Sequence, residues 1–272
     1  MTNDLPVCGT CGVQYDAENF EPTVCRICAD DRQYVGWSGQ QWTSTAELVE
    51  RGHHGVVRVE EPGLWGVGTE PSFAIGQRAL LVPGTGGNLL WDCTTVLDDH
   101  TAAAVAERGG VSAIAISHPH FYGAMIEWSD AFDAPVYIHE ADREWVCRRG
   151  NVEFWSGDVH EALPGRTLIN AGVHFAGGTV VHFTDPERGT GALCSGDIFT
   201  VVMDRRYVSF MYSYPNLIPE HPDTIRRAVE LLDAFEFTDI YGAWWGRVVR
   251  GDGKAALRRS AQRYLRHIGM AP

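Results

Sequence analysis

The stretch AIAISHPHFYG, residues 113–123, is the most informative part of the sequence for both the fold and the candidate metal ligands. Its first part is a short apolar run, which is typical of a strand buried on both faces. His118 and His120 follow at once, so both imidazoles lie in a loop between this strand and the next helix. Histidines at positions i and i+2 of such a loop can bind one metal ion together. The stretch therefore predicts a metal centre directly after a buried strand.

The remainder of the chain favours a layered α/β domain. Strands come first and then alternate with helices, an order that predicts sheets covered by helices. The predicted strands are 56–59, 64–68, 73–76, 79–82, 88–92, 113–117, 136–139, 167–170, 179–183, 192–195 and 239–241. The predicted helices are 98–108, 123–132, 222–235 and 253–268.

The first forty residues carry a different signal, two Cys-x-x-Cys pairs. Cys8 and Cys11 form the first pair, and Cys25 and Cys28 form the second after thirteen intervening residues. Each spacing lets a turn aim two thiolates at one ion, so the pairs together supply four soft ligands in a tetrahedron. So short a segment cannot bury enough apolar surface to fold alone, which favours a structural metal. We expect one structural zinc ion here.

Iron is the alternative metal for these cysteines. The stretch VCGTCGVQYD, residues 7–16, resembles the first knuckle of rubredoxin, an iron protein. The gap between the two pairs is shorter than in rubredoxin, however, and Ala29 follows the second pair where rubredoxin has glycine. Zinc is therefore the preferred metal, and iron stays open.

Three further stretches occur in a fixed order around the two histidines. LLWD at 89–92 precedes them, and VHFAGG at 173–178 and LCSGDIF at 193–199 follow them. The set resembles the metallo-β-lactamase superfamily, whose metal motif is His-x-His-x-Asp-His after a strand. The resemblance implies an αββα sandwich, in which His174 is the third histidine and Asp197 is the bridging carboxylate.

The same resemblance marks where a second metal ion has lost its ligands. The aspartate and second histidine of the family motif correspond to Tyr122 and Gly123, and the last histidine corresponds to the stretch GAWWG at 242–246. The resemblance therefore implies at most one ion, zinc or iron, in a degenerate site. The implied ligands are His118, His120, His174 and Asp197.

Four residues are expected around this site without binding the metal. Asp92 is expected to accept a hydrogen bond that orders the histidine loop. His139 is expected to be packed or to support the site from outside. Trp244 and Trp245 occupy the position of the lost histidine, so at least one of them is expected near the site.

Composition limits which binding partners and which cellular compartment are expected for the protein. The 272 residues carry a formal net charge of −13, so neither nucleic acid nor a membrane is expected as a partner. No run approaches the roughly 18 apolar residues of a membrane span, and the N-terminus lacks the pattern of a signal peptide. Four of the seven cysteines form metal-type pairs, which favours a reducing compartment. We therefore expect a soluble, cytoplasmic protein.

The chain order predicts three segments. A zinc-ribbon module covers residues 1–36, a linker covers 37–54, and the sandwich domain covers 55–272. Trp37, Gly39 and Trp42 are expected to pack the ribbon onto the main domain. Such a junction predicts that removal of the ribbon destabilises the rest.

Three functions compete at this point. The first is a metal-dependent hydrolase of a small-molecule substrate, in which Asp197 orients the attacking water and Tyr122 protonates a leaving group. The cysteine pairs, RQYV at 32–35 and His-Pro-His together resemble a divergent, hydrolase-like branch of the superfamily. The second is a non-catalytic ligand-binding or regulatory protein with an aromatic pocket. The third is an iron redox protein. The aromatic residues expected to line the pocket of the ligand-binding alternative are Phe121, Tyr122, Tyr212, Tyr214, Trp244 and Trp245.

Overall fold

The computed structural model describes residues 4–184 and 189–270 of the chain. It begins with a cysteine-rich ribbon, whose two short strands, β1 (Pro6–Cys8) and β2 (Trp42–Ser44), pair antiparallel. The helix α1 (Thr45–Glu50) follows directly and leads into the main domain.

Among the described residues, the first sheet of the main domain has seven strands in chain order. Its strands are β3 (His54–Glu61), β4 (Leu64–Glu70), β5 (Ala79–Val82), β6 (Leu89–Trp91), β7 (Ala113–Ala115), β8 (Val136–His139) and β9 (Val152–Trp155). Neighbours from β3 to β6 are antiparallel, whereas those from β6 to β9 are parallel. Two helices, α2 (Asp99–Ala106) and α3 (Met125–Phe132), lie in the parallel connections.

The second sheet is formed by the C-terminal half of the chain. Its first four strands are β10 (Val159–Leu163), β11 (Arg166–Asn170), β12 (Thr179–Thr184) and β13 (Gly191–Gly196). Two short hairpins follow, β14 (Thr200–Val201) with β15 (Val208–Ser209) and β16 (Met211–Ser213) with β17 (Ile218–Pro219). The last elements are α4 (Pro222–Leu232), β18 (Asp239–Gly242), β19 (Val248–Val249) and α5 (Gly253–His267). The sheet order is β10-β11-β12-β13-β18-β19, with β13 and β18 parallel.

The alternation of side chains along the strands divides the core into layers. In β5, Leu80 and Val82 belong to a buried cluster that also contains Leu168 and Phe183 of the second sheet. The intervening Leu81 belongs instead to the cluster that includes α3. The two sheets therefore pack face to face, and each also has a buried outer face.

Helices α4 and α5 cover the outer face of the second sheet. Ile225, Ala228 and Leu232 lie on one face of α4 and share a buried cluster with Leu257 of α5 and with Leu193 of β13. Helix, sheet, sheet and helix thus form four layers, which confirms the predicted αββα sandwich. No helix in the described part of the chain is long and apolar enough to cross a membrane.

The ribbon packs on the outer face of the first sheet. Its residues Val13 and Tyr15 belong to the same buried cluster as α3. Gln14 N–H donates to the carbonyl of Gly123 at 3.0 Å, next to the histidine loop, and Thr95 Oγ1 donates to the carbonyl of Gly12 at 2.8 Å. The ribbon is therefore joined to the main domain through apolar packing and through hydrogen bonds to main-chain carbonyls.

The structure differs from the prediction in several local details. Residues 73–76 form a turn closed by a 2.9 Å bond from Gly76 N–H to the Phe73 carbonyl, because glycine there adopts a positive φ that ends an extended run. The predicted packing role of Trp37 is wrong, since its side chain is fully exposed. Trp42 packs inside the ribbon, with its ring 5.2 Å from that of Tyr15.

Candidate metal centre and active site

The loop after β7 brings His118 and His120 together. The backbone of His118 is extended, with φ −171°, which is the region that a following proline requires. Pro119 then begins a single 3-10 turn that carries His120. Ser117 N–H donates to Asp92 Oδ1 at 2.8 Å, and Ser117 Oγ lies 2.9 Å from His118 Nδ1. Asp92 therefore orders the loop that carries both histidines.

The third histidine, His174, lies between β11 and β12 in a left-handed conformation with φ 68°. Its N–H donates to Glu220 Oε2 at 2.8 Å, and its carbonyl accepts from Arg32 Nε at 2.7 Å. Its Nδ1 donates to the carbonyl of Tyr212 at 2.8 Å, which leaves a lone pair on Nε2. These contacts hold a backbone conformation that L-residues rarely adopt.

The three imidazoles converge in the interior. Their ligand nitrogens lie within 4.8 Å of one another, and His174 Nε2 is 3.1 Å from His120 Nδ1. Each residue is at most 3% exposed. The Nε2 atoms of His118 and His120 have no hydrogen-bond partner among the described residues, and neither has Asp197 Oδ1, 3.3 Å from His118 Nε2. Buried polar atoms normally have hydrogen-bond partners. These nitrogen and oxygen atoms without partners therefore fit a metal ion bound by imidazole and carboxylate ligands.

Burial keeps these imidazoles neutral. It lowers the pKa of His118 and of His120 well below the ordinary range, and the neighbouring His174 lowers both pKa values further. Burial also lowers the pKa of His174, to about 4. Neutral imidazole is the form that binds a metal, so protons compete weakly for this site near pH 7.

Two carboxyl groups lie beside the histidines. Burial raises the pKa of Asp92 to about 7 and that of Asp197 to about 8, the latter with a contribution from the charge of Asp92. Asp92 Oδ2 is buried without a partner among the described residues. Tyr214 donates its hydroxyl to the carbonyl of Asp197 at 2.6 Å and so holds the Asp197 loop in place. Burial disfavours the ionised form of these carboxyl groups, and a cation next to them would favour it again.

The four cysteines of the ribbon form a second group with metal-ligand geometry. Cys8 Sγ is 3.7 Å from Cys28 Sγ, and Cys11 Sγ is 3.8 Å from Cys25 Sγ. All four sulfur atoms lie within 4.8 Å of one another and are buried. Four sulfurs at about 2.3 Å from a central zinc would be about 3.8 Å apart in a tetrahedron. The sulfur positions therefore fit one tetrahedral ion.

Neighbouring donors support the cysteine cluster. Gln40 connects the two pairs, since its Nε2 donates to Cys8 Sγ at 3.3 Å and its Oε1 accepts from Cys25 N–H at 3.0 Å. Tyr15 Oη lies 3.1 Å from Cys25 Sγ. Hydrogen bonds from such donors stabilise thiolates that bind a metal. The cysteine group and the histidine group are the two sets with metal-ligand spacing within residues 4–184 and 189–270.

A comparison with known sequences identifies a relative of nearly the same length. The chain is 44% identical over 264 residues to a Bacillus subtilis (strain 168) protein described as "Uncharacterized protein YmaE", and the match covers 96% of each chain. The chain belongs to the YmaE family. No family model matches its sequence.

Solved structures similar to this YmaE-family protein include metallo-β-lactamases. The DIM-1 enzyme is 14% identical with a TM-score of 0.59, covering 79% of this chain and 98% of the enzyme. An enzyme of Cronobacter sakazakii is 16% identical with a TM-score of 0.52, covering 78% and 94%. At these identities the similarity shows the fold alone. It confirms the resemblance inferred from the sequence motifs.

Tyr122 and His139, both predicted near the site, lie in different surroundings. The buried Tyr122 points its hydroxyl at the carbonyl of Asp142, 3.4 Å away. His139 packs against Trp155, and its Nε2 lies 3.1 Å from the carbonyl of Gly157 and 3.0 Å from Asn170 Nδ2, so its contacts are at the ends of β8, β9 and β11. These positions leave the catalytic role assigned to Tyr122 a prediction.

The two tryptophans lie in different environments. Trp244 donates to the carbonyl of Ile75 at 3.1 Å, and its ring is 6.2 Å from that of Phe121. Phe121 in turn lies 4.4 Å from the His118 ring, so Trp244 lies one side chain away from the centre. Trp245 instead packs on the glycines Gly66 and Gly68 of β4, where a Cβ atom would meet its ring. Both tryptophans line an open groove of about 670 Å³ beside β14.

Three residues in contact with the histidines were not identified from the sequence. Phe175 lies with its ring 5.0 to 5.6 Å from all three imidazoles. Glu220 and Arg32 bind the backbone of His174 from positions 46 and 142 residues away. Phe175 had a signal, since it directly follows a predicted ligand. Arg32 belongs to the RQYV stretch noted in the sequence, but nothing in the sequence placed Arg32 or Glu220 beside the histidines, because only the tertiary structure brings them there.

Proposed function

We propose that the protein is a metal-dependent hydrolase with a single metal ion on His118, His120 and His174, acting on a small-molecule substrate. The observation that carries the proposal is the convergence of the buried imidazole nitrogens with the unpartnered Asp197 Oδ1. The metallo-β-lactamase fold is consistent with this chemistry. A metal ion at such a site would act as a Lewis acid: it would polarise a carbonyl or phosphoryl oxygen and lower the pKa of bound water.

The side chains of the site have separate tasks in this proposal. Asp197 is the fourth ligand or accepts a hydrogen bond from the attacking water, since its Oδ1 faces His118 Nε2. Asp92 positions His118 through Ser117. Tyr122 serves as proton donor to a leaving group only after its hydrogen bond to the Asp142 carbonyl opens.

We further propose zinc as the metal of the cysteine ribbon, and zinc or iron at the histidine centre. Four thiolates with the observed spacing suit zinc, although the ribbon geometry also suits iron. Three imidazoles and one carboxylate suit either metal. Seven free cysteines favour a reducing compartment, which supports a cytoplasmic location.

The test is turnover by the full chain after chelation and reloading with Zn²⁺ or Fe²⁺. The probes are an activated ester, a thioester, a phosphodiester and a β-lactam, each compared with His120→Ala. We expect metal-dependent hydrolysis of at least one class in the wild type and its loss in the variant. Equal rates for the two proteins on every probe would contradict the proposal.

The binding-protein alternative rests on the groove lined by Trp244 and Trp245, which lacks any of the three histidines. If this alternative holds, the chain binds a small apolar ligand with equal affinity in the presence and absence of metal. Tryptophan fluorescence during ligand titration distinguishes the two functions, because hydrolysis requires the histidines and groove binding does not.

A further inference from the structure

His174 needs external support for its conformation. Its φ of 68° is disfavoured for a residue with a Cβ atom, so its ring direction depends on the groups that hold its backbone. Glu220 and Tyr212, both of the main domain, hold its N–H and its Nδ1. The remaining polar group of its backbone is the carbonyl, and the donor to that carbonyl, Arg32, comes from the N-terminal segment.

Arg32 is fixed in a direction that allows this bond. Its guanidinium lies between two rings, 4.5 Å from the centre of Phe175 and 4.6 Å from that of Tyr212. Asp30 Oδ1 accepts from Arg32 Nη1 at 2.7 Å and from its backbone N–H at 3.0 Å. The planar donor is therefore oriented before it reaches the carbonyl of His174.

The segment around Arg32 connects the two metal-ligand groups. Arg32 lies four residues after Cys28, a member of the cysteine cluster. The main domain holds the backbone on either side, since Ser213 Oγ donates to the carbonyl of Arg32 at 3.1 Å and Asn216 Nδ2 donates to those of Asp31 and Gln33 at 3.0 Å. A short, anchored stretch thus runs from one ligand group to the other.

We propose that Arg32 is a positioning residue of the histidine centre, through which the folded ribbon holds His174 in its metal-binding orientation. The inference rests on the proposed metal at that centre, and it assigns to the ribbon a role there beyond stability. Without the guanidinium, the carbonyl of His174 loses its donor and Phe175 loses its stacking partner. The ring of His174 then samples orientations that do not bind metal. Loss of such a supporting residue typically lowers metal affinity about 10- to 100-fold.

The test uses the full chain with zinc in the ribbon and Co²⁺ titrated into the histidine centre in competition with a chelator. Arg32→Met removes the donor and keeps an apolar chain between the two rings. Arg32→Lys keeps the positive charge and N–H donors but loses the planar guanidinium. Asp30→Asn loosens the guanidinium at a partly exposed position. The matched control is Arg26→Met, which removes an exposed arginine of the same ribbon that has no contact with His174.

We expect Arg32→Met to weaken Co²⁺ binding at the histidine centre about 10- to 100-fold and to alter the visible cobalt spectrum. Arg32→Lys should recover part of the affinity, Asp30→Asn should lose a few-fold, and Arg26→Met should stay within about twofold of the wild type. The thermal midpoint of each protein with zinc in the ribbon, measured before Co²⁺ is added, shows whether a variant is folded.

Two results overturn the inference in different ways. If the wild type binds Co²⁺ at the histidine centre and the folded Arg32→Met and Asp30→Asn variants bind it equally tightly, Arg32 does not position His174. If the wild type takes up metal in the ribbon alone, the proposed function is wrong and the inference is wrong with it.

Discussion

Two residues of the candidate site adopt left-handed backbone conformations, Asp92 with φ 62° and His174 with φ 68°. Each such conformation costs about 1–3 kcal/mol in a residue other than glycine. Hydrogen bonds to Ser117, Glu220 and Arg32 hold the two residues, so the surrounding structure offsets this cost. At the scale of single residues, backbone strain is therefore located at the candidate site and is held there by neighbouring groups.

The ligand role of His120 can be tested against its neighbour Tyr122. We expect His120→Ala to lower metal affinity at the histidine centre by about 100-fold or more, since one of three imidazole donors is removed. Tyr122→Phe should leave the affinity within about threefold, because its hydroxyl bonds weakly to the Asp142 carbonyl at 3.4 Å. Elemental analysis after dialysis against a weak chelator measures both. Equal metal content in the two variants would show that His120 is not a ligand.

The buried Asp142 makes stability depend on pH. Burial raises its pKa to about 7. Between about pH 4 and pH 7 the native state keeps this proton and the unfolded chain has released it, so the free energy of unfolding falls as the pH rises through that window. Asp142→Asn should remove this contribution, at most about 1.4 kcal/mol per pH unit. Urea unfolding at several pH values measures the slope, with the exposed Asp130→Asn as control.

At the scale of elements, the ribbon depends on side chains outside its cysteines. Two turns supply the four sulfur atoms, but neither turn is long enough to hold the other in position. Gln40 spans them with one donor and one acceptor, and Cys8 itself pairs with Trp42 in the ladder of β1 and β2. The strand pair and the metal-ligand group thus stabilise each other.

The supporting role of Gln40 predicts a defined loss. Gln40→Ala removes the bonds to Cys8 Sγ and Cys25 N–H, and we expect about a 10-fold lower zinc affinity of the ribbon. Gln41→Ala is the matched control, because within the described part of the chain the Gln41 side-chain amide donates to the nearby carbonyls of Ser38 and Gln40 and to neither cysteine pair. Competition with a chromophoric zinc chelator gives both constants. A zinc affinity in Gln40→Ala equal to that of Gln41→Ala would contradict this account.

At the scale of the whole molecule, the ribbon and the sandwich share one buried cluster. Val13, Tyr15 and Ile27 of the ribbon belong to it together with Leu81 of β5 and Trp128 of α3. A segment that contributes buried side chains to a core is part of the cooperative unit, although it has its own metal-ligand group. The predicted boundaries at residues 36 and 54 therefore describe changes in sequence character and remain predictions as domain limits.

This shared cluster predicts that the main domain depends on the ribbon. Deletion of residues 1–32 should lower the thermal midpoint by at least about 10 °C, because it exposes apolar surface and removes the bonds to Gly123 and His174. Trp37→Ala in the full chain should leave the midpoint unchanged, since that side chain is fully exposed. Differential scanning calorimetry compares the three proteins. A deletion variant as stable as the wild type would show that the junction contributes little.

By itself, the order of strands and helices in the sequence indicated a layered α/β domain, because that order is a local property of the chain. The αββα sandwich was implied by the resemblance of the ordered motif stretches to the metallo-β-lactamase superfamily. The sequence also indicated both metal-ligand groups, since Cys-x-x-Cys and His-Pro-His place donors within a few residues of each other. Only the tertiary structure decided which distant side chains support them. Arg32 and Glu220 contact His174 across 142 and 46 residues, and no local pattern encodes such contacts. The different surroundings of Trp244 and Trp245 are likewise tertiary: the glycines of β4 leave room for the Trp245 ring, whereas Trp244 lies beside Phe121.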